Sequence, residues 1–192
     1  MLGQPLEDGQ VCISCAAQSL TYPASFMLVT AMNPCPCGYQ GDTQHSCTCT
    51  PAMVQRYRAR LSGPLLERID LEVEVPRIPH SDLSDTRPAE ASEVVRLRVE
   101  RARLVQQARF SGTRVHCNAR MGPRQLQEFC RTDAAGRELL QQVTERLGLS
   151  ARSYTRRLKV ARTVADLDGG EAIAANHLAE AIQYRSLDRR TV

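Results

Sequence analysis

The amino-acid sequence predicts an α/β fold in which a few parallel strands come first and an all-helical bundle follows. Residues 25–32 read SFMLVTAM, a nearly continuous apolar run that ends at Asn33, as in a strand buried within a parallel sheet. Residues 69–75 read IDLEVEV and alternate apolar and polar side chains, as in a strand with one buried face. Beyond residue 91 only helical patterns recur. So small a sheet is hardly stable alone, so we expect the natural protein to continue upstream.

Alternation and composition place the other elements of the first part. Residues 11–14, VCIS, alternate and predict a short strand or hairpin, which a turn at 21–23, TYP, follows. Residues 34–49 are rich in proline, glycine and cysteine, and this composition predicts a loop.

A helix start follows this loop. Thr50 provides a capping hydroxyl and Pro51 suits the first helical position, so we expect a helix that runs to Arg60. Ser62 and the glycine and proline after it end this helix, and LLERI at 65–69 then predicts a short helical turn.

The predicted domain organisation has three parts. Residues 1–78 form the later part of a sheet domain, 79–90 form a polar, aperiodic linker, and 91–192 form a helical domain. Gly148 and Gly169 supply stop signals between helices. The expected helices cover 92–110, 123–131, 133–147, 150–168 and 176–184.

Composition limits the classes of function. No apolar run approaches the roughly 18 residues of a membrane helix, and the start lacks a signal-peptide pattern, so we expect a cytoplasmic protein without a membrane partner. Of the 25 basic residues only Lys159 is a lysine. Arginine suits phosphate recognition, but a GC-rich coding bias would give the same count, and both readings stay open.

The cysteine spacing predicts a metal site. Cys35-x-Cys37 and Cys47-x-Cys49 are two pairs that a turn could bring together around one zinc ion. His45 lies between the pairs as a possible substitute ligand, and a reduced, metal-free loop is the alternative. Eight cysteines in a reducing compartment do not favour a disulfide framework.

The remaining cysteines point to packing. Cys12 and Cys15 sit in an alternating strand and would face opposite sides of the sheet, so we expect them to be thiols without metal. Cys117 and Cys130 are isolated, as small core residues often are.

Three polar residues are candidates for ligand contacts. Asn33 closes the apolar run, where a sheet enzyme places a group that touches its ligand, although it could only cap a turn. Arg68 follows an apolar turn and could reach a neighbouring subunit's phosphates or pair with Glu67 or Asp70. Arg152 falls in the first turn of a helix, where a cation opposes the helix dipole.

The alternative for Arg152 is a solvated helix face, of which Arg156, Arg157 and Arg162 would be further members. On the same helix, Leu158, Ala161, Val164, Ala165 and Leu167 form the predicted apolar side.

Three strings carry a family resemblance: NPCPCG followed by C-x-C, RYRARLSGPLLERIDLEVEVP, and SARSYTRRLKVARTVADLDG. They closely resemble the magnesium-chelatase-like AAA+ ATPases of the ComM and YifB group, from QPLEDG at 4–9 through HLAEAIQYR at 177–185. The resemblance implies the carboxyl-terminal part of an AAA+ P-loop ATPase core followed by a helical lid. Neither G-x-x-x-x-G-K-[ST] nor a Walker B strand occurs in the 192 residues, so we expect the chain alone not to hydrolyse ATP.

The resemblance also implies roles for the three candidates. Asn33 matches the sensor-1 position that orients the attacking water, Arg68 matches the arginine finger that acts on a neighbour's ATP, and Arg152 matches the sensor-2 arginine of the lid. In one departure, Cys15 stands where the family usually has arginine, within Ile-Ser-Arg-Ala, which puts the role of that position in doubt.

Three functions remain in competition. The family resemblance implies an ATP- and Mg²⁺-dependent homo-oligomer, a hexamer when full-length, that moves branch points in DNA during natural transformation and recombination. One alternative is a chelatase-type remodeller of a protein or cofactor complex. The other is a non-catalytic, zinc-bearing module that binds nucleic acid through its arginines.

Overall fold

The computed structural model describes residues 3–15, 18–61, 63–78 and 88–184, which fall into two compact units. The first unit comprises Met1–Ile69 and Val75–Ile78, and the second comprises Asp70–Glu74 and Pro79–Val192. Most of the predicted linker, 79–87, lies outside the described residues. The predicted domain boundaries therefore stay a prediction.

The first unit begins with a helix and a hairpin. Helix α1 (Gly3–Asp8) leads into β1 (Gln10–Cys15), which pairs with β2 (Gln18–Pro23) in antiparallel register. The predicted hairpin is confirmed, but residues 21–23 belong to β2 and not to a turn.

Alternation gives this hairpin two chemically different faces. Val11 lies opposite Tyr22, and Ile13 lies opposite Leu20, which makes one face apolar. The other face carries hydroxyl and thiol groups, since Cys12 lies opposite Thr21 and Ser14 lies opposite Ser19.

The predicted parallel strands are wrong for the described residues, in which the sheet is the antiparallel β1–β2 pair. Residues 25–32 form no regular secondary structure and lack strand pairing, and Met27 and Val29 are 87% and 80% exposed. Residues 69–75 also lack strand pairing, and Val73 and Val75 are exposed. The physical reason is that a buried strand needs neighbouring strands that take its backbone hydrogen bonds and cover its side chains, and in the described residues neither segment pairs with another strand.

A loop and two short helices complete the first unit. Helix α2 (Pro51–Arg58) starts as predicted, because the Thr50 hydroxyl accepts a hydrogen bond from the Met53 backbone N–H at 3.3 Å. It ends two residues earlier than Arg60. Helix α3 (Gly63–Leu66) covers the start of the predicted turn at 65–69.

The second unit is a helical bundle, as predicted. Val160 and Leu126 pack against a buried apolar core that several of the helices and the segments between them provide. The described helices are α4 (Ser92–Arg109), a 3₁₀ turn (Asn118–Arg120), α5 (Pro123–Phe129), α6 (Ala134–Leu147), α7 (Ala151–Leu167) and α8 (Ala175–Gln183). The buried apolar core comprises Phe110, Met121, Cys130, Leu140, Leu158, Ala161, Ala165, Ile173, Leu178 and Ala181. Of the predicted apolar side of α7, Leu167 is exposed.

Caps fix the helix ends that sequence analysis located. The Asp133 carboxylate accepts from the Gly136 N–H at 2.6 Å to start α6, and the Ser150 hydroxyl accepts from the Ser153 N–H at 3.2 Å to start α7. Gly148 adopts a φ of 57° at the end of α6, a conformation that glycine takes without steric cost.

The segment Asp70–Glu74 packs with the second unit. The Glu72 N–H donates to the Tyr184 carbonyl at 2.6 Å, and Arg156 donates to Asp70 at 2.7 Å.

Among the described helices, none combines the length and the apolar character that crossing a lipid bilayer requires.

Candidate functional site

The two cysteine pairs converge in the first unit. The sulfur atoms of Cys35, Cys37, Cys47 and Cys49 all lie within 4.8 Å of one another. Three of the distances are 3.3 Å for Cys35–Cys37, 3.7 Å for Cys35–Cys47 and 3.5 Å for Cys37–Cys47. Tetrahedral zinc with bonds of about 2.3 Å places its sulfur ligands about 3.8 Å apart, so the spacing fits a four-thiolate zinc ion.

Tight turns bring these sulfurs together. The Gly38 N–H donates to the Cys35 carbonyl at 3.0 Å, and both Gly38 and Gly41 have a φ of 83°. Cys35 is fully buried. The loop is rich in turns and has few apolar side chains, so a metal ion could supply the cohesion that a hydrophobic core gives elsewhere.

The loop environment shifts the pKa values of two of the thiols in opposite directions. A hydrogen bond from the Tyr39 backbone N–H lowers the pKa of Cys37 to about 5, which favours the thiolate form that metals bind. Burial raises the pKa of Cys49 to about 12.

The polar residues of the loop contact an arginine that lies outside it. Asp42 accepts from the backbone N–H groups of Gln44 and His45 at 2.7 and 2.9 Å, and these bonds hold the pKa of Asp42 below its usual range. Arg77 lies 2.6 Å from His45 Nδ1 and 3.5 Å from Asp42 Oδ2, and the His45 ring stacks on Tyr39 at 4.9 Å. His45 as a substitute zinc ligand is therefore disfavoured, because its ring contacts Arg77 and Tyr39 and lies outside the sulfur cluster.

Asn33 directly follows the segment 25–32 and is exposed, two positions before the buried Cys35. Its side chain amide can both donate and accept hydrogen bonds. The segment before Asn33 is not a strand, and a ligand contact by Asn33 stays a prediction.

Arg68 follows α3 and contacts a carboxylate from the beginning of the chain. Its Nη2 lies 2.5 Å from Oε2 of Glu7 on α1, 61 positions earlier. The side chain of Arg68 is 18% exposed and that of Glu7 is 39% exposed. Sequence analysis suggested Glu67 or Asp70 as partners, but Asp70 contacts Arg156. No local spacing could have indicated Glu7.

Arg152 lies in the first turn of α7, two residues after the cap Ser150, and is half-buried. The positive end of a helix dipole favours anions, so the position is suited to a phosphate contact. The alternative of a solvated face is wrong for Arg157 and Arg162, which are each 1% exposed. Asn33 and Arg68 belong to the first unit and Arg152 to the second, so their convergence on one site stays a prediction.

The second unit contains a buried polar cluster that sequence analysis missed. Asp166 accepts hydrogen bonds from Arg109 at 2.5 and 2.8 Å, from Asn118 at 2.7 Å and from Arg162 at 3.0 Å. Arg162 also donates to the carbonyl of Gly170 at 2.5 Å. Burial alone would raise the pKa of Asp166, but these hydrogen bonds and positive charges lower it below its ordinary value. Only the spacing of four residues between Arg162 and Asp166 was visible in the sequence.

Two family profiles match the chain. The family described as magnesium chelatase, subunit ChlI, matches residues 1–83, and the family described as magnesium chelatase, subunit ChlI C-terminal, matches residues 89–185. The second profile alone covers more than half of the chain.

Curated relatives match over nearly the whole chain. The uncharacterized protein YifB of Escherichia coli K12 is 43% identical over 190 residues, which is 98% of this chain and 36% of that protein. The competence protein ComM of Haemophilus influenzae is 41% identical over 189 residues, again 98% of this chain and 36% of the relative. YifB of Salmonella typhimurium is 41% identical over 190 residues, with the same coverage of 98% and 36%.

The chain thus spans about a third of the length of the relatives it matches. The matched residues of this chain include the cysteine loop and the helical bundle described above. This chain belongs to the magnesium chelatase subunit ChlI family, within which it is similar to the YifB and ComM proteins.

Proposed function

We propose that this chain is the sensor, arginine-finger and lid part of an ATP-driven, oligomeric motor that remodels DNA by branch migration. The observation that carries the proposal is the family match: the residues matched by the first profile, 1–83, include Asn33 and Arg68, and those matched by the second, 89–185, include Arg152. The relative named as a competence protein supports a role linked to DNA.

The three side chains have the chemistry that a triphosphate site needs. ATP with Mg²⁺, when bound, supplies the phosphoryl group that is transferred. Guanidinium groups such as those of Arg68 and Arg152 bind phosphate oxygens through several N–H donors, and the Asn33 amide can hold a water through a donor and an acceptor. None of the three is a carboxylate, the protein group that usually binds Mg²⁺ beside phosphates, so other residues of the motor would hold the Mg²⁺.

Each residue then has a separate task. Asn33 orients the attacking water, Arg68 places positive charge beside the neighbour's phosphates as negative charge develops, and Arg152 ties the lid to the nucleotide. Because the sequence holds no phosphate-binding loop, this chain alone is expected to be inactive as an ATPase.

The test uses the full-length protein. Arg68→Ala should lower ATP turnover by about 10³-fold or more, as removal of an arginine finger does. Arg60→Ala, which removes an exposed arginine of the same unit, is the matched control and should leave turnover unchanged. Mixing Arg68→Ala subunits with subunits whose phosphate-binding loop is disabled should restore part of the activity. Unchanged turnover in Arg68→Ala would overturn the finger assignment.

The nature of the remodelled partner needs its own comparison. A DNA motor should be stimulated by branched DNA, whereas a chelatase-type remodeller should respond to a protein of tetrapyrrole synthesis and not to DNA. Binding to DNA that weakens steeply with salt, in a protein whose ATPase is insensitive to Arg68→Ala, would instead favour the nucleic-acid-binding module.

We also propose that the four-cysteine loop holds one zinc ion in a structural role. The sulfur cluster of Cys35, Cys37, Cys47 and Cys49 supports this, since it leaves no open position for a substrate. Without the ion, only turns and hydrogen bonds hold the loop, so the ion would stabilise it.

Metal analysis of reduced protein decides this point. We expect one zinc per chain, a large loss of zinc in Cys47→Ser, and no loss in His45→Ala, because the His45 ring lies outside the sulfur cluster. Cys117→Ser, outside the loop, is the control for loss of a thiol. A reduced protein with almost no zinc would refute the site.

A further inference from the structure

The contact between Arg68 and Glu7 places the proposed finger inside its own subunit. The guanidinium Nη2 and the carboxylate Oε2 are 2.5 Å apart, and both residues belong to the first unit. Because α1 and the turn after α3 are 61 positions apart, this pairing is a product of the tertiary fold and not of helix spacing.

A carboxylate and a phosphate compete for the same guanidinium donors. A carboxylate is a planar oxyanion and a phosphate is a tetrahedral one, and both accept N–H hydrogen bonds from the arginine fork. While Arg68 donates its Nη2–H to Glu7, this group cannot donate the same hydrogen bond to a phosphate oxygen of another subunit.

The ion pair between Arg68 and Glu7 is weak, which limits its effect on ATP turnover. Glu7 is 39% exposed and Arg68 is 18% exposed, so solvent and salt weaken their attraction. Pairs of this kind change an equilibrium by up to about fivefold, whereas an arginine finger changes turnover by about 10³-fold or more. A triphosphate site can thus displace Glu7, at the cost of a modest increase in the nucleotide concentration required.

We propose that Glu7 is a positioning residue that holds Arg68 within its own subunit and competes with the neighbouring subunit's triphosphate for the guanidinium group. Glu7 thereby sets how much nucleotide is needed before the finger engages. This inference rests on the proposed role of Arg68 as a finger.

Nucleotide dependence of ATP turnover in the full-length protein tests the competition. Glu7→Gln removes the negative charge and keeps the shape, so the ATP concentration for half-maximal turnover should fall by about two- to fivefold. The maximal rate should stay unchanged, because at saturation Arg68 has already left Glu7. Glu67→Gln, an exposed neutralisation beside the finger, should change neither quantity.

Two further variants make the result specific. Glu7→Asp keeps the charge on a side chain one methylene shorter, so it should give an intermediate shift, and it decides the question if Glu7→Gln does not fold. Combined with Arg68→Ala, the Glu7→Gln change should have no effect on the residual turnover. Thermal unfolding followed by circular dichroism checks that each variant is folded.

The failure of this inference differs from failure of the proposed function. If Arg68→Ala abolishes turnover while folded Glu7 variants keep the half-maximal ATP concentration of the unaltered protein, Glu7 does not compete for the finger. A fall in maximal rate for Glu7→Gln would also refute the competition, since it would mean that Glu7 orients the engaged finger. If Arg68→Ala leaves turnover intact, the finger itself is refuted.

Discussion

Arg162 donates its Nε–H to Asp166 Oδ1 at 3.0 Å, and both side chains are almost completely removed from solvent. Arg109 donates to the same carboxylate at 2.5 and 2.8 Å, so one negative charge is shared by two guanidinium groups inside the helical bundle. A buried ion of this kind is tolerated because its hydrogen bonds are satisfied, and removing one partner leaves an uncompensated charge.

Asp166→Asn should therefore destabilise the second unit by about 3–5 kcal/mol, since it leaves Arg162 buried without a counter-charge. Denaturant unfolding measures the change. Asp168→Asn is the matched control, because Asp168 contacts His177 at 3.1 Å but is 67% exposed, and its loss should cost about 1 kcal/mol or less. Equal effects of the two substitutions would contradict the importance of the buried cluster.

The Asp166 carboxylate also makes the free energy of unfolding depend on pH. The pKa of Asp166 is lowered in the folded protein, so its contribution is fully present above the unfolded value of about 3.9 and is lost as pH falls through the folded value. The difference in unfolding free energy between the unaltered chain and Asp166→Asn should be constant from pH 7 to about pH 5 and should shrink below about pH 4. A difference that grew on acidification would contradict the sign of this shift.

The cysteines outside the loop should differ widely in reactivity. Hydrogen bonds from the hydroxyl groups of Ser19 and Ser14 lower the pKa of the exposed Cys12, whereas burial raises the pKa of Cys130 to about 11. A brief iodoacetamide pulse at neutral pH, read by mass spectrometry, should label Cys12 first and Cys130 last. Ser19→Ala should slow labelling of Cys12, and an unchanged rate would show that this hydroxyl does not stabilise the thiolate.

The start of α6 leaves too little room for a side chain at Gly136 unless its neighbours shift. A Cβ there would lie 2.8 Å from Asp133 Oδ1 and 2.9 Å from Leu178 Cδ1, so it would disturb both the helix cap and the contact with α8. Gly136→Ala should destabilise the second unit by about 1–3 kcal/mol despite the higher helix propensity of alanine. Gly63→Ala, where the added atom meets open space, is the control. Equal melting temperatures for the two variants would contradict this.

The candidate site was only partly open to prediction from the sequence. The C-x-C pairs identified the cysteine cluster, because two short spacings and a glycine-rich turn leave few ways to arrange four thiols. Two sets of contacts could not be predicted from local sequence patterns. They are the contacts of Arg77 with Asp42 and His45 beside the cysteine cluster, and the pairing of Arg68 with Glu7. Contacts between residues tens of positions apart depend on the packing of whole elements.

What the sequence by itself determined is the helical bundle: α6 and α7 begin at Asp133 and Ser150 and α6 ends at Gly148, since caps and apolar periodicity act within a few residues. Tertiary structure alone decided the burial of Arg162 and the fate of the segment 25–32. An apolar run states only that its side chains favour burial. Whether it becomes a strand depends on neighbouring strands that can accept and donate its backbone hydrogen bonds, and in the described residues it pairs with no strand.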